Sequence, residues 1–301
     1  VDRLVEPLLG GVYSGLAREI STRAAVPMLL PMLAKGSLLE QGARIPRTYD
    51  APVFACVEGG MGRLPDALMA AGRFEARVGV RVTSLRRTDA GFVVVVGGEE
   101  IVADRVVLAT PPAETARLLA SVAPDAAADL AAIEAASTAV VTFAFRASDV
   151  PDLPGSGFLV PPVEPGRKVK ASTFCFAKWG WVREAGRGAG PEGEDLLFLR
   201  TSLGRHRETA VVALSDDELV AVSRAELADA VGLRAEPLAT HVQRWTDGLP
   251  QYAVGHVDRV VRIRAAVARI PGLAVCGAAY DGVGIPAVIA SAAAAVESLS
   301  R

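Results

Sequence analysis

The chain has 301 residues, of which 51% are apolar and 22% charged, and its formal net charge is −2. That length and balance supply apolar surface for one large domain or two ordinary ones and exclude a disordered chain. The near-neutral charge gives no electrostatic reason to expect nucleic acid or an anionic membrane surface as partner.

The first fifty residues read as helical. Asp2 to Leu9 opens directly in a helix, as if from the middle of something, and Glu19 to Leu30 repeats its apolar positions at helical spacing with breaks at Pro27 and Pro31. Gly59 to Gly62 is a turn, and Arg63 to Arg73 is an amphipathic helix with Leu64, Ala67, Leu68 and Ala71 on one face. A strand-rich stretch follows: Val78 to Leu85, Phe92 to Val96, a Gly97-Gly98 hairpin to Ile101-Val102, and Arg105 to Ala109, ended by Thr110-Pro111-Pro112 at the start of a helix. Thr138–Phe145, Ser156–Val160, Ala171–Phe176 and Leu196–Thr201 are four more strand-like runs, suggesting an antiparallel sheet, with a polar loop from Gly186 to Glu194 before the last. Ser215 to Glu218 is a capping box opening a helix to about Val231. Leu273 to Cys276 is a buried strand, Gly277 to Pro286 a glycine-rich turn, and Pro286 to Leu299 an alanine-rich helix. Two α/β pieces thus flank a sheet-and-helix block, the pattern of a discontinuous nucleotide domain with an insertion.

The segment Val275 to Pro286 carries the most chemistry. Three glycines on a strand-to-helix turn let the backbone approach a ligand, and the helix behind them presents unpaired N–H groups and a positive dipole end. A tight structural turn explains the same pattern. No metal is expected: His206, His241 and His256 lack ligand spacing. Cys56, Cys175 and Cys276 form no CxxC and read as reduced thiols in a cytoplasmic protein. No apolar run approaches the ~18 residues needed to span a bilayer.

Five segments in order resemble the protoporphyrinogen and coproporphyrinogen oxidases of the flavin amine-oxidase superfamily. They are Glu6 to Gly15, Glu58 to Leu68, Asp104 to Pro111, Pro250 to His256 and Gly277 to Pro286. The sequence departs from the usual pattern at Ala278 and Ala279 (Asn or Ser), Ala287 and Val288 (an acidic residue and Cys) and Ala292 (Gly). It also contains no GxGxxG after a strand. The resemblance implies that this segment, with the ribose-binding acid, precedes the equivalent of Val1, so the chain is expected to be a fragment or one half of a split enzyme that needs its amino-terminal FAD-binding part.

The fold class implied is α/β (α+β): an incomplete, discontinuous, Rossmann-like FAD domain with an inserted mixed-sheet substrate domain and amino-terminal helices. Residues 1–20 would be a remnant of a helical, membrane-type domain, 21–50 and 114–254 the substrate domain, and 51–113 and 255–301 the partial FAD domain. The cofactor is FAD, which carries the chemistry without a protein catalytic group. Its contacts are expected at Val82, Thr110, His256, Val257, Gly277, Tyr280, Gly282, Val283, Gly284 and Ile285. Substrate contacts are expected at Leu159, Thr173, Phe174, Arg200 and Ser202; Leu159 and Phe174 fit ordinary sheet core equally well. Arg200 follows four apolar strand residues, where a guanidinium is costly unless paired; either a propionate or an ion pair with Glu194 or Asp195 would satisfy it. The expected activity is oxidation of coproporphyrinogen III by oxygen, with protoporphyrinogen IX as the alternative substrate. Another flavin amine oxidase, a desaturase, or a non-catalytic porphyrin-binding remnant are the other readings. The location would be cytoplasmic, with peripheral membrane contact through the absent helical domain.

Overall fold

β-Branched runs separated by glycine turns set most of the strands. The computed structural model describes residues 1–45 and 54–300. Among these, ten strands form: β1 (Val82–Thr88), β2 (Gly91–Val96), β3 (Glu99–Ala103), β4 (Val106–Leu108), β5 (Ala135–Arg146), β6 (Gly157–Leu159), β7 (Val169–Thr173), β8 (Leu196–Leu203), β9 (Ala239–Pro250) and β10 (Leu273–Val275). The chain divides into two compact units: the described residues of Val1–Ala17, Val53–Arg73 and Ala136–Gly248, and those of Arg18–Pro52, Phe74–Ala135 and Leu249–Arg301. The mixed helix and strand content agrees with the expected class. Residues 63–70, a helix, group with the large sheet, and residues 22–43, three short helices, with the other unit.

In the second unit β4 and β10 pair in parallel, Val106 to Leu108 against Leu273 to Val275. Both are apolar and short, and each runs into a helix, Pro112–Leu119 after β4 and Ile285–Leu299 after β10. Two strand ends therefore finish on the same side, where ligands of parallel α/β sheets bind. The antiparallel β1-β2-β3 sheet and the helices Pro112–Leu119, Pro124–Ala131 and His256–Ala268 share one core, with Phe92, Leu119, Leu130 and Ile263 almost fully buried. The strand expected from Val78 begins at Val82. The helix His256–Ala268 was not anticipated, although Val260, Ile263 and Val267 bury one face of it at helical spacing.

The first unit holds a five-stranded sheet of order β6-β7-β8-β5-β9. Its buried face carries Val141, Phe143, Phe145, Leu199 and Leu203, in one core with Leu219 and Leu227 of the helix Asp216–Val231. That helix starts at the anticipated capping box, Ser215 Oγ accepting from the Glu218 N–H. The run expected as one strand, Ala171 to Phe176, breaks at Thr173, and Cys175–Lys178 forms a helical turn. Trp181 lies in the helix Gly180–Ala185.

A buried lysine ties this unit together. Lys170 sits in the irregular step of β7 and is 7% exposed. Its Nζ donates to Ser14 Oγ, on the left-handed residue that ends the helix Val5–Tyr13, and to the Gly204 carbonyl at 2.8 Å. Burial, helped by the nearby Arg205 cation, pushes its pKa down from 10.5 to about 8, with Glu208 opposing. Between those two values the unfolded chain holds a proton that the folded chain has released. Stability should therefore rise between pH 8 and 10.5, by at most about 3 kcal/mol. Urea unfolding across that range should show the rise in the native chain and its loss in Lys170→Met; equal slopes in both would refute the assignment.

Candidate functional site

The turn between β10 and the last helix is built by glycines at angles other residues avoid: φ is +122° at Gly277 and +141° at Gly282. The Cys276 N–H donates to the Leu108 carbonyl, and a Cβ on Gly277 would lie 3.8 Å from the Ala109 carbonyl. The turn thus starts beside the end of β4, where Thr110 lies. Thr110 Oγ1 shares a 2.8 Å hydrogen bond with the buried Thr115, which also donates to the Thr110 carbonyl. Within the turn Tyr280 N–H closes on the Gly277 carbonyl, and Gly277 N–H donates to Ser291 Oγ. The N–H groups of Gly282, Val283, Gly284 and Ile285 have no partner among the described residues. They precede a 15-residue helix whose first turn holds Pro286. This cluster of unpaired donors at a positive helix end suits an anionic or electron-rich group.

Side chains beneath hold the turn. Arg264 grips Asp281 with two hydrogen bonds, of 2.8 and 2.5 Å, and its guanidinium lies 5.7 Å over the Tyr280 ring. Burial opposes ionisation of Asp281, but Arg264 and the Ser291 hydroxyl outweigh it and hold the carboxyl below its usual value. Burial pushes the Tyr280 phenol well up; its hydroxyl sits next to Thr115 without a hydrogen bond of good geometry. His256 is 2% exposed, and its Nε2 lies 2.9 Å from the Ala279 carbonyl. Burial pushes its pKa down, Arg259 adds to this, and the Ala279 contact partly offsets both. It remains a neutral ring with Nε2 as the donor.

The remaining expected cofactor residues belong to the same unit. Val257, half-buried, follows His256 in the first turn of its helix. Val82 is half-buried at the start of β1, and its carbonyl, like that of Thr83, is taken by Arg117. Sequence reasoning passed over Tyr252, Arg264 and Ser291, each of which meets the turn only through tertiary packing. Tyr252 stood inside a quoted motif; nothing local distinguished the other two.

The expected substrate residues lie in the other unit. Cα partners in an antiparallel sheet share a face. Thr142, Arg200 and Thr173 form one cross-strand row, and Val140, Ser202, Ala171 and Leu159 the next. Leu159, Thr173, Arg200 and Ser202 are thereby brought together on the more open face. Phe174 is not: it is fully buried on the other side, packed against Phe158 and Phe176. The alternative of a buried ion pair does not hold. Arg200 is exposed, Glu194 pairs with Arg146, and Asp195 accepts from the Gly188 N–H. Arg200 itself makes no ion pair among the described residues. A cavity of about 570 Å³ nearby takes in Leu159 and Phe174, but its cations are spent internally, Arg3 on Glu164 and Arg167 on Asp229.

Comparison with known proteins gives the family of the chain. The family model for flavin containing amine oxidoreductases matches residues 1–299. The coproporphyrinogen III oxidase of Mycobacterium leprae is 38% identical over 99% of this chain and 64% of its own length. That of Bacillus subtilis is 27% identical over 98% and 63%. A crystal structure from Exiguobacterium, of a candidate protoporphyrinogen oxidase, superposes with a TM-score of 0.85 at 31% identity, covering all of this chain and 64% of that one. The chain spans a little under two-thirds of each relative.

Proposed function

The chain belongs to the family of flavin-containing amine oxidoreductases, and from that premise we propose that it serves the FAD-dependent oxidation of coproporphyrinogen III to coproporphyrin III, with oxygen as final acceptor, in haem biosynthesis. The observation that carries the reading is the chain-long similarity to two coproporphyrinogen III oxidases, together with a turn whose four unpaired N–H groups suit a flavin. The bound flavin would take up the hydride equivalents leaving the saturated carbons of the macrocycle.

The residues fit that group. Gly282 to Ile285 offer donors to its electron-rich edge or phosphates, and Gly277, Thr110 and Tyr280 shape the wall beside them. His256 and Val257 stiffen the helix start, and Val82 offers half-buried apolar surface. None of these needs to move a proton. On the sheet face, Arg200 binds a propionate as a free guanidinium, Thr173 across from it and Ser202 in the next row offer hydroxyls, and Leu159 provides apolar surface for a flat ring. Phe174 supports that face from behind. Protoporphyrinogen IX remains the alternative substrate, favoured by the Exiguobacterium structure.

Single donors and a helix end contribute about 0.3–1 kcal/mol each to a nearby anion, whereas micromolar binding needs about 8 kcal/mol. The one GxGxxG run, Gly188 to Gly193, lies in a loop between a helix and a strand, so no phosphate cradle of the strand–turn–helix kind supplies the difference. FAD titrated into the chain alone should therefore quench only weakly. Adding the amino-terminal third of the Mycobacterium leprae relative should restore flavin colour and porphyrin fluorescence from coproporphyrinogen III. Saturable quenching at micromolar FAD by the chain alone would show that this turn and its neighbours suffice. A reconstituted flavoprotein that oxidises neither porphyrinogen would overturn the proposal.

A further inference from the structure

The turn that meets the proposed flavin owes its shape to two rings outside it. Tyr252 and His256 stack nearly parallel, 15° apart with centroids at 4.2 Å. Both are 2% exposed. Tyr252 Oη donates to the Ala278 carbonyl, and His256 Nε2 to the Ala279 carbonyl. Two successive peptide groups are thus pinned by adjacent rings. A trans peptide is planar, with its N–H antiparallel to its C=O. Pinning the Ala278 carbonyl toward Tyr252 therefore aims the Ala279 N–H the opposite way, and that N–H has no partner among the described residues. The polar capacity of the His256 ring goes into this contact, since Nε2 carries the donated proton and Nδ1 is buried with no hydrogen-bond partner. Tyr252 is tied down in turn, its carbonyl accepting from Ser21 N–H and its neighbour Ala253 bridging to Ile20.

We propose that Tyr252 and His256 are positioning residues for the flavin, an aromatic clamp that fixes the Ala278 and Ala279 peptides so that the backbone donors of residues 279–285 are pre-set before the cofactor arrives. The proposal rests on the function given above. Pre-organisation of this kind raises affinity by removing the ordering cost at binding. It also explains why alanine serves at 278 and 279: the clamp holds their carbonyls, which every residue has.

Two measurements test it. The first is amide hydrogen exchange in the chain without cofactor, which does not depend on the flavin. Tyr252→Phe removes one hydroxyl and keeps the stack. It should speed exchange of the Gly277 and Tyr280 amides about fivefold, the worth of one neutral hydrogen bond near 1 kcal/mol, while amides of the β1–β3 sheet stay unchanged. The second is FAD affinity after reconstitution with the amino-terminal third of the Mycobacterium leprae relative. Tyr252→Phe should weaken it about fivefold, and His256→Leu more than His256→Gln, whose amide can still donate to the Ala279 carbonyl. Unchanged turn exchange with unchanged affinity in Tyr252→Phe overturns the clamp alone. An assembly that fails to take up FAD with both rings intact overturns the functional reading, and the positioning role with it. Faster exchange throughout the unit, matched by a lower melting temperature, would reduce the pair to ordinary core.

Discussion

Gly282→Ala should weaken FAD binding by tenfold or more in the reconstituted protein, with little effect on the five-stranded sheet. Gly282 sits at φ +141°, a conformation open to glycine and strained for alanine. The new methyl would also meet the Ala287 Cβ at 2.9 Å, inside the first turn of the last helix. Strain of this kind costs about 1–3 kcal/mol. It is relieved by moving the turn or the helix start, and either shift misaligns the N–H groups of Val283, Gly284 and Ile285. Gly155→Ala makes a matched control. It has φ +70° and open space around its Cβ, so it carries backbone strain without a clash and lies in the other unit. Flavin fluorescence titrations of the two variants should separate by at least tenfold. Equal affinities would mean that the turn does not touch the cofactor.

What the sequence revealed, and what it hid, follows from how local each signal is. β4 and β10 are short apolar runs ended by Thr110-Pro111 and by Gly277, so strand, turn and following helix were all legible. The capping box at Ser215 and Glu218 is equally local. β9 is different. It is an edge strand, mostly exposed along Ala239 to Leu249, so it has no apolar alternation to read. It is a strand because β5 offers it an edge. The substrate-side residues show both cases. The grouping of Leu159, Thr173, Arg200 and Ser202 follows from strand parity once register is known, but register is set by the Gly157↔Thr173 and Thr173↔Arg200 pairings, which no local pattern encodes. Phe174 lies one residue past Thr173, and that single step carries it to the buried face. The support of the turn by Arg264, Ser291, Tyr252 and His256 was invisible for the same reason: each is 14 or more residues from its partner or contacts only its backbone.

The Arg200→Ala variant should raise KM for coproporphyrinogen about tenfold and change kcat by less than about twofold. Arg200 lies on an open, half-polar sheet face with no acidic partner among the described residues, so its guanidinium is free to take up an anion. Hydrogen bonds to charged groups contribute about 1.5–3 kcal/mol when shielded; exposure places this one at the lower end. A propionate stays a carboxylate throughout the oxidation, so its clamp binds ground and transition states alike and its loss falls on KM. Arg200→Lys should recover part of the loss, because a lysine supplies charge without the planar fork. The neighbours sharpen the test. Thr142 and Thr173 flank Arg200 in its row, so Thr173→Val removes a hydroxyl without the charge and should shift KM far less. Equal falls in kcat and kcat/KM would place Arg200 beside the reacting carbons. An unchanged KM would leave it an ordinary strand residue and move the propionate site elsewhere. Running the same series with protoporphyrinogen IX, which carries fewer propionates, separates the two substrate readings: a clamp evolved for the more carboxylated macrocycle should show the larger Arg200 effect on coproporphyrinogen.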